Sequence, residues 1–267
     1  MHAVTGIFSS QSQAERAVSA LRATGIAADK ITFLTPNQTP EKLKAVPVDT
    51  AEQPGMGKAI GAVVGAAGGF STGALLVAAV IPGVGPVTVL GMLGGAVIAA
   101  AGGVLGAEVG EHLENFTTDG IPEDEIFVYE DALRKGRTVV IVLAENEGAA
   151  GPVRALLKAE GAEAVDAARH QWWIGLRAAE NEHYSAALPA RSFQEDEKYY
   201  RLGFEAALHA RTRCKEFDQV SAEMASSLEE VKKQHPGVDL EEAYTRGYQR
   251  GRDYYQRLCD EAKSKAA

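Results

Sequence analysis

Glycine recurs at every fourth position, at Gly57, Gly61, Gly65, Gly69 and Gly73, at the head of a stretch from Lys58 to Glu108 that carries no charged side chain between those two residues. No other feature restricts the fold as much. Residues four apart share one helix face, and a face without side chains admits a second helix at close range. A second series, Gly91, Gly95, Ala99, Gly103 and Ala107, follows Pro82-Gly83-Val84-Gly85-Pro86, a sequence suited to a turn. A helical glycine costs about 1 kcal/mol relative to alanine, so glycines in such number need close packing to offset them. The spacing therefore predicts a glycine-zipper helical hairpin over 56–112, with Gly57, Gly61, Gly65, Gly69 and Gly73 packed on Gly91, Gly95 and Gly103 and the turn made by Pro82, Gly83, Gly85 and Pro86.

The two arms, Ala59 to Ile81 and Val87 to Ala107, approach the ~20 residues that cross a bilayer core. Two environments fit them: a membrane, spanned twice or entered shallowly, or a soluble core in which the hairpin packs on itself in an oligomer. Flanking charge does not orient the arms. Lys42, Lys44 and Lys58 precede them, and Glu108, Glu111 and Glu114 follow.

The flanks read as β-α-β on both sides. Strand sequence at Ala3–Phe8 leads to a helix with Ala14, Ala17, Val18 and Leu21 on one face, entered through a capping box at Ser12-x-x-Glu15 and ended at Gly25. Ile31–Leu34 is the second strand, and the proline-bearing segment 36–55 is a linker. After the hairpin, Pro122 is expected to open a helix whose first turn is acidic (Glu123, Asp124, Glu125) and which ends at Gly136. Thr138–Leu143 is a buried strand, a helix carrying Val153, Leu156 and Leu157 stops at Gly161, and Ala164–Ala167 is a weak final strand. The expectation is an α+β fold: a ferredoxin-like split β-α-β sandwich, residues 1–35 plus 120–174, interrupted by the hairpin.

Beyond a polar connector at 175–192, residues 193–267 read as a helical bundle with helices at 193–210, 217–234 and 240–262. The first and third share Tyr-x-x-Gly-aromatic, as Tyr200, Gly203, Phe204 and Tyr244, Gly247, Tyr248. This internal repeat of 44 residues places a small glycine where another helix would pack beside an aromatic ring. His170, Trp172 and Trp173 follow the expected last strand, where the indoles would cover a sheet end or lie at a bilayer interface.

The chain has 267 residues and a net charge of −9, which argues against a broad nucleic-acid-binding surface. Two cysteines, Cys214 and Cys259, make no disulfide framework, and no Cys/His spacing resembles a zinc site. The first eight residues do not read as a secretory leader. Pro54–Lys58 lacks the first glycine of a phosphate loop and has Ala59 where a magnesium-binding hydroxyl belongs. Glu108, Glu111, His112 and Glu114 read as a polar collar rather than metal ligands. Glu205 and His209 repeat the 108/112 spacing without the Glu-x-x-His pairs of di-iron bundles. No nucleophile, base and orienting group stand at catalytic spacing.

Pro82-Gly-Val-Gly-Pro86, Gly120-Ile-Pro-Glu-Asp-Glu125, Tyr129-Glu-Asp-Ala-Leu-Arg-Lys-Gly136 and Thr138-Val-Val-Ile-Val142 together resemble the bacterial general stress protein 17M-like (heat-induced stress protein) family with a glycine-zipper insertion, over residues 3–168. The resemblance implies a stress-associated protein and brings no catalytic residues. Two readings of function follow. In the first, a non-enzymatic stress-associated protein with no cofactor inserts its hairpin into the cytoplasmic membrane, or assembles there as a homo-oligomer, associated with the inner face through residues 58–108. In the second, a cytosolic oligomeric regulatory module holds a small molecule on a ferredoxin-like sheet.

Overall fold

The computed structural model describes residues 2–36, 76–81, 84–91, 97, 104–105, 122, 124–187, 191–209, 212–213, 219–220, 229, 232–233 and 240–266. The chain is mixed α and β and divides into two compact units. The first is Met1–Ile121 with Tyr129–Val165; the second is Pro122–Val128 with Asp166–Ala267.

In the first unit, β1 (His2–Phe8), β2 (Ile31–Pro36), β3 (Leu76–Ile81), β4 (Gly85–Leu90), β5 (Val104–Leu105) and β6 (Thr138–Ala144) form one sheet, in the order β1-β6-β2-β4-β3-β5. Every neighbouring pair is antiparallel. Because β6 runs against both β1 and β2, those two strands are parallel to each other and need a crossover, which α1 (Gln11–Ala23) supplies. Alternation along the strands turns Val4, Phe8, Ile31, Phe33, Val140 and Val142 toward one face. There they pack with Ala14, Ala17, Val18 and Leu21 of α1 and with Ala150, Val153 and Leu157 of α3 (Glu147–Ala159). Thr5 points the other way and shares a hydrogen bond of 2.9 Å with the hydroxyl of Tyr129, which lies in α2 (Ile126–Arg134).

Three helices that end within this unit end alike. Gly25, Gly136 and Gly161 have φ of 93°, 77° and 92°, and the next residue donates back to the carbonyl five positions earlier: Ile26 to Leu21, Arg137 to Ala132, Ala162 to Leu157. This is the Schellman closure, in which a left-handed glycine lets two backbone N–H groups reach otherwise orphaned carbonyls.

The helix starts differ from expectation. Ser10, extended at φ −145° and ψ 152°, is the N-cap of α1, and its hydroxyl accepts from the Gln13 N–H at 3.4 Å. Ser12 lies inside the helix. The cap therefore stands two residues earlier than the Ser-x-x-Glu pattern suggested, and the Gln13 side-chain oxygen accepts from the Ser9 hydroxyl at 2.6 Å. Nor does Pro122 open α2. Glu125 N–H bonds the Pro122 carbonyl at 3.0 Å and Asp124–Glu125 form a turn, so the helix begins at Ile126. The weak final strand at Ala164–Ala167 is replaced by the start of a helix at Val165. A single antiparallel bridge, Ile7 with Glu163, is what pairs there with the outer edge of β1.

The largest correction concerns the hairpin. Leu76–Ile81 and Gly85–Leu90 are strands, paired from Leu76↔Leu90 to Ile81↔Gly85, and β4 pairs in turn with β2 from Phe33↔Leu90 to Pro36↔Val87. Neither arm is therefore one continuous helix. The physical reason is local: no glycine stands between Gly73 and Gly83, and Val77, Val80, Ile81, Val87, Thr88 and Val89 are β-branched. Such side chains lose rotamer freedom in a helix and pack well on a pleated sheet. The chain reverses between Ile81 and Gly85, with Val84 N–H bonded to the Ile81 carbonyl at 3.0 Å and Gly85 at φ 102°. Pro86 sits near the start of β4, opposite Val80 and ahead of the β2 pairing, where its missing donor costs no ladder bond to β2. Gly57, Gly61, Gly65, Gly69, Gly73, Pro82, Gly83, Gly95 and Gly103 lie outside the described residues, as do the linker beyond Pro36 and the Glu108–Glu114 collar.

In the second unit, α4 (Val165–Ala187) enters from the division, followed by α5 (Phe193–Ala206) and α6 (Glu241–Ala266). The expected connector at 175–192 is thus helical as far as Ala187. Of the expected middle helix, Gln219, Val220, Glu229, Lys232 and Lys233 are described, each helical. Trp172 and Trp173, at 3% and 2% exposure, are core residues of this helical unit. Trp172 packs at a tilt against Phe127 (4.8 Å between centroids) and edge-on against Phe204 (5.8 Å), while Trp173 donates its indole N–H to Glu197 at 2.8 Å.

Candidate functional site

A cleft of about 430 Å³ opens in the first unit between the end of α1, the end of β6 and the outer side of α3. Each wall follows from a local rule. The Schellman closure at Gly25 folds Ile26 back toward Leu21, supplying one apolar side. Val142 forms part of the floor because β6 is the strand between β1 and β2 and is buried at every residue but Leu143. Val153 and Leu156 come from α3, where Asn146 caps the helix by accepting from the Ala149 N–H at 3.0 Å.

The cleft's charges sit at its mouth. Lys30 Nζ is 2.7 Å from Glu145 Oε1, with Lys30 one third exposed and Glu145 largely so. Their hydrogen bond raises the Lys30 pKa and lowers that of Glu145, so each holds the other in its charged form. Thr24, also lining the cleft, donates its hydroxyl to the Leu21 carbonyl at 2.6 Å. Chemically this is an apolar slot bordered by an ion pair of zero net charge. It suits retention of a small molecule.

The second unit gathers the repeat residues. Gly203 of α5 lies against the Tyr244 carbonyl of α6, and Gly247 lies against the Tyr200 carbonyl of α5; a Cβ at either would collide with backbone. Gly251 meets the Phe204 carbonyl in the same way. The relation is reciprocal, so the two Tyr-x-x-Gly-aromatic segments cross at their glycines. Phe204 and Tyr248 are fully buried beside the crossing, and Tyr244 is nearly so.

Three buried carboxylates surround that crossing. Glu180 (2% exposed) takes a two-pronged contact from Arg250, Nε at 2.9 Å and Nη2 at 3.0 Å, and a hydrogen bond from the Tyr200 hydroxyl at 2.8 Å. Asp196 receives Arg191 (2.7 and 2.8 Å) and the Tyr184 hydroxyl at 2.5 Å. Glu205 lies between Arg201 (2.5 Å) and Arg169 (3.7 Å). Burial, reinforced by the neighbouring carboxylates, pushes the Tyr184 and Tyr200 hydroxyls well above the ordinary tyrosine pKa. Burial, with Tyr248 adding, does the same to Tyr244. Glu180 and Asp196 are thus each met by an arginine and a tyrosine, and Glu205 by two arginines.

Of the site residues expected from the amino-acid pattern, the structure brings together all six of the tail repeat. Gly85 and Pro86 lie in the β3–β4 hairpin, and Gly91 is removed from the zipper. At φ 108° Gly91 rests on the backbone of Ile31 and Thr32, so it closes the end of β4 against β2 instead of facing a second helix. The cleft residues carry no motif of their own; Leu21 and Ile26 flanking Gly25 are the legible part. Among the described residues no helix is long and apolar enough to cross a membrane, and no group of three or more His, Cys, Asp or Glu is placed to hold a metal ion. No family model, curated protein or solved structure matches the chain.

Proposed function

We propose that the chain is a non-enzymatic regulatory module that retains a small, largely apolar molecule in the cleft between α1, β6 and α3. The observation that carries this reading is the cleft itself, apolar within and closed at the rim by Lys30 and Glu145. The arrangement of β1, α1 and β2 around β6, followed by α3, is read as the core of a ferredoxin-like sandwich. On that reading the Ile7–Glu163 bridge is what remains of its fourth strand. The cleft opens at the helix-covered face of that core, and the β3–β4 hairpin enlarges the sheet on the far side of β2. The resemblance to general stress proteins supports a stress-associated role. Function by a pair of ~20-residue helical arms is not part of this proposal, because residues 76–81 and 85–90 belong to the sheet.

Thermal unfolding of the whole chain against a panel of small apolar and amphipathic compounds tests the proposal. A binder is expected to raise the transition temperature of the wild type and to lose that effect in Leu156→Trp, whose indole would fill the slot. Shifts of equal size in both proteins would contradict it.

A further inference from the structure

We infer that the ligand class of this cleft is an uncharged amphiphile, an apolar body bearing one hydroxyl-like head that both donates and accepts a hydrogen bond. This deepens the reading above and rests on it. The apolar body is required by Leu21, Ile26, Val142, Val153 and Leu156, which offer no polar atom beyond backbone. The head is dictated by the mouth. Lys30 uses one of its three donors on Glu145 at 2.7 Å, and Glu145 uses one of its two oxygens. A hydroxyl can accept from the ammonium and donate to the other carboxylate oxygen with the ion pair intact.

A charged head is disfavoured. A carboxylate that accepts from a second Lys30 donor sets two carboxylates beside one ammonium, with Asp29 adding a third negative group that acts on Lys30. An ammonium that donates to the second Glu145 oxygen lies beside a second cation. In each case a like charge is brought to a site already neutral, and the discrimination is electrostatic rather than steric.

A matched octyl series separates the possibilities. Isothermal titration of the whole chain at pH 7 with 1-octanol, octanoate and octylammonium is expected to show 1-octanol binding at least about tenfold more tightly than either charged member. Shortening to 1-hexanol should weaken binding by about tenfold, as loss of two buried methylenes implies. The double variant Lys30→Met with Glu145→Gln, on an exposed pair, should weaken 1-octanol by about fivefold through the altered head contacts. A charged octyl compound that binds as tightly as 1-octanol, and is displaced in Leu156→Trp, overturns the ligand class while leaving the cleft as a site. Absence of binding by every member, or binding that survives Leu156→Trp, overturns the class and the site together.

Discussion

Gly203 and Gly247 occupy reciprocal positions, each seated against the carbonyl of the tyrosine that lies three residues before the other. A helical glycine is about 1 kcal/mol worse than alanine in isolation, so at both positions propensity has yielded to proximity. Gly203→Ala and Gly247→Ala are each expected to destabilise the helical unit by about 1–3 kcal/mol, although alanine is the better helix former. Denaturant unfolding followed by tryptophan fluorescence reads this directly, since Trp172 and Trp173 are buried in that unit. An unchanged or raised midpoint would show that the helices do not cross there.

Glu180 and Arg250 give a second test. Taking one partner from a buried pair strands the other charge, typically at about 3–5 kcal/mol, whereas replacing both by apolar residues is often near neutral. Here burial opposes the Arg250 charge, and the Glu180 contact more than restores it. Glu180→Leu alone is expected to destabilise more than Glu180→Leu with Arg250→Met. Additive losses would mean the two side chains do not share one site.

The tyrosines set a pH limit. Tyr184, Tyr200 and Tyr244 have folded pKa values raised above the unfolded value, which is about 10. A group that binds its proton more tightly when folded contributes stability that is complete below the unfolded pKa and is lost as pH rises toward the folded one. Stability of the helical unit should therefore be insensitive to these groups near neutrality and fall above about pH 10. Near-ultraviolet circular dichroism across pH 8–12 checks it, and a transition that precedes tyrosine ionisation by a full unit of pH would contradict it.

Gly91 and the β3–β4 hairpin give the test of the corrected central segment. Gly91→Ala places a Cβ against the backbone of Ile31 and Thr32 at a φ that side chains rarely adopt, so it should destabilise the sheet-bearing unit by more than about 2 kcal/mol. Deleting residues 57–110 should do worse. It removes β3, β4 and β5 and leaves β2 as a bare edge, a template for aggregation. Size-exclusion chromatography of the deletion is expected to show aggregates rather than a stable soluble protein. A well-behaved monomeric deletion would argue that these strands are dispensable.

What the amino-acid pattern makes legible is punctuation. Gly25, Gly136 and Gly161 mark three helix ends because a left-handed residue has few substitutes. Tyr200-x-x-Gly203 and Tyr244-x-x-Gly247 mark a crossing because the same small residue recurs beside aromatics. The central segment misleads for a physical reason. A four-residue glycine period implies a helix face only while the intervening residues tolerate a helix, and from Leu76 onward β-branched residues and an available β2 edge outweigh it. The cleft leaves little trace, because its walls come from three elements far apart in the chain and its rim pair, Lys30 and Glu145, is separated by 115 residues.

Methyl-resolved NMR titration of the full chain with 1-octanol locates the ligand at the level of single side chains. Saturable shifts are expected at Leu21, Val142, Val153 and Leu156, with little change at Leu34 and Val89 on the β2–β4 pairing. Shifts spread evenly over the sheet, or none at the four cleft residues at saturation of the aqueous phase, would contradict the cleft as the site.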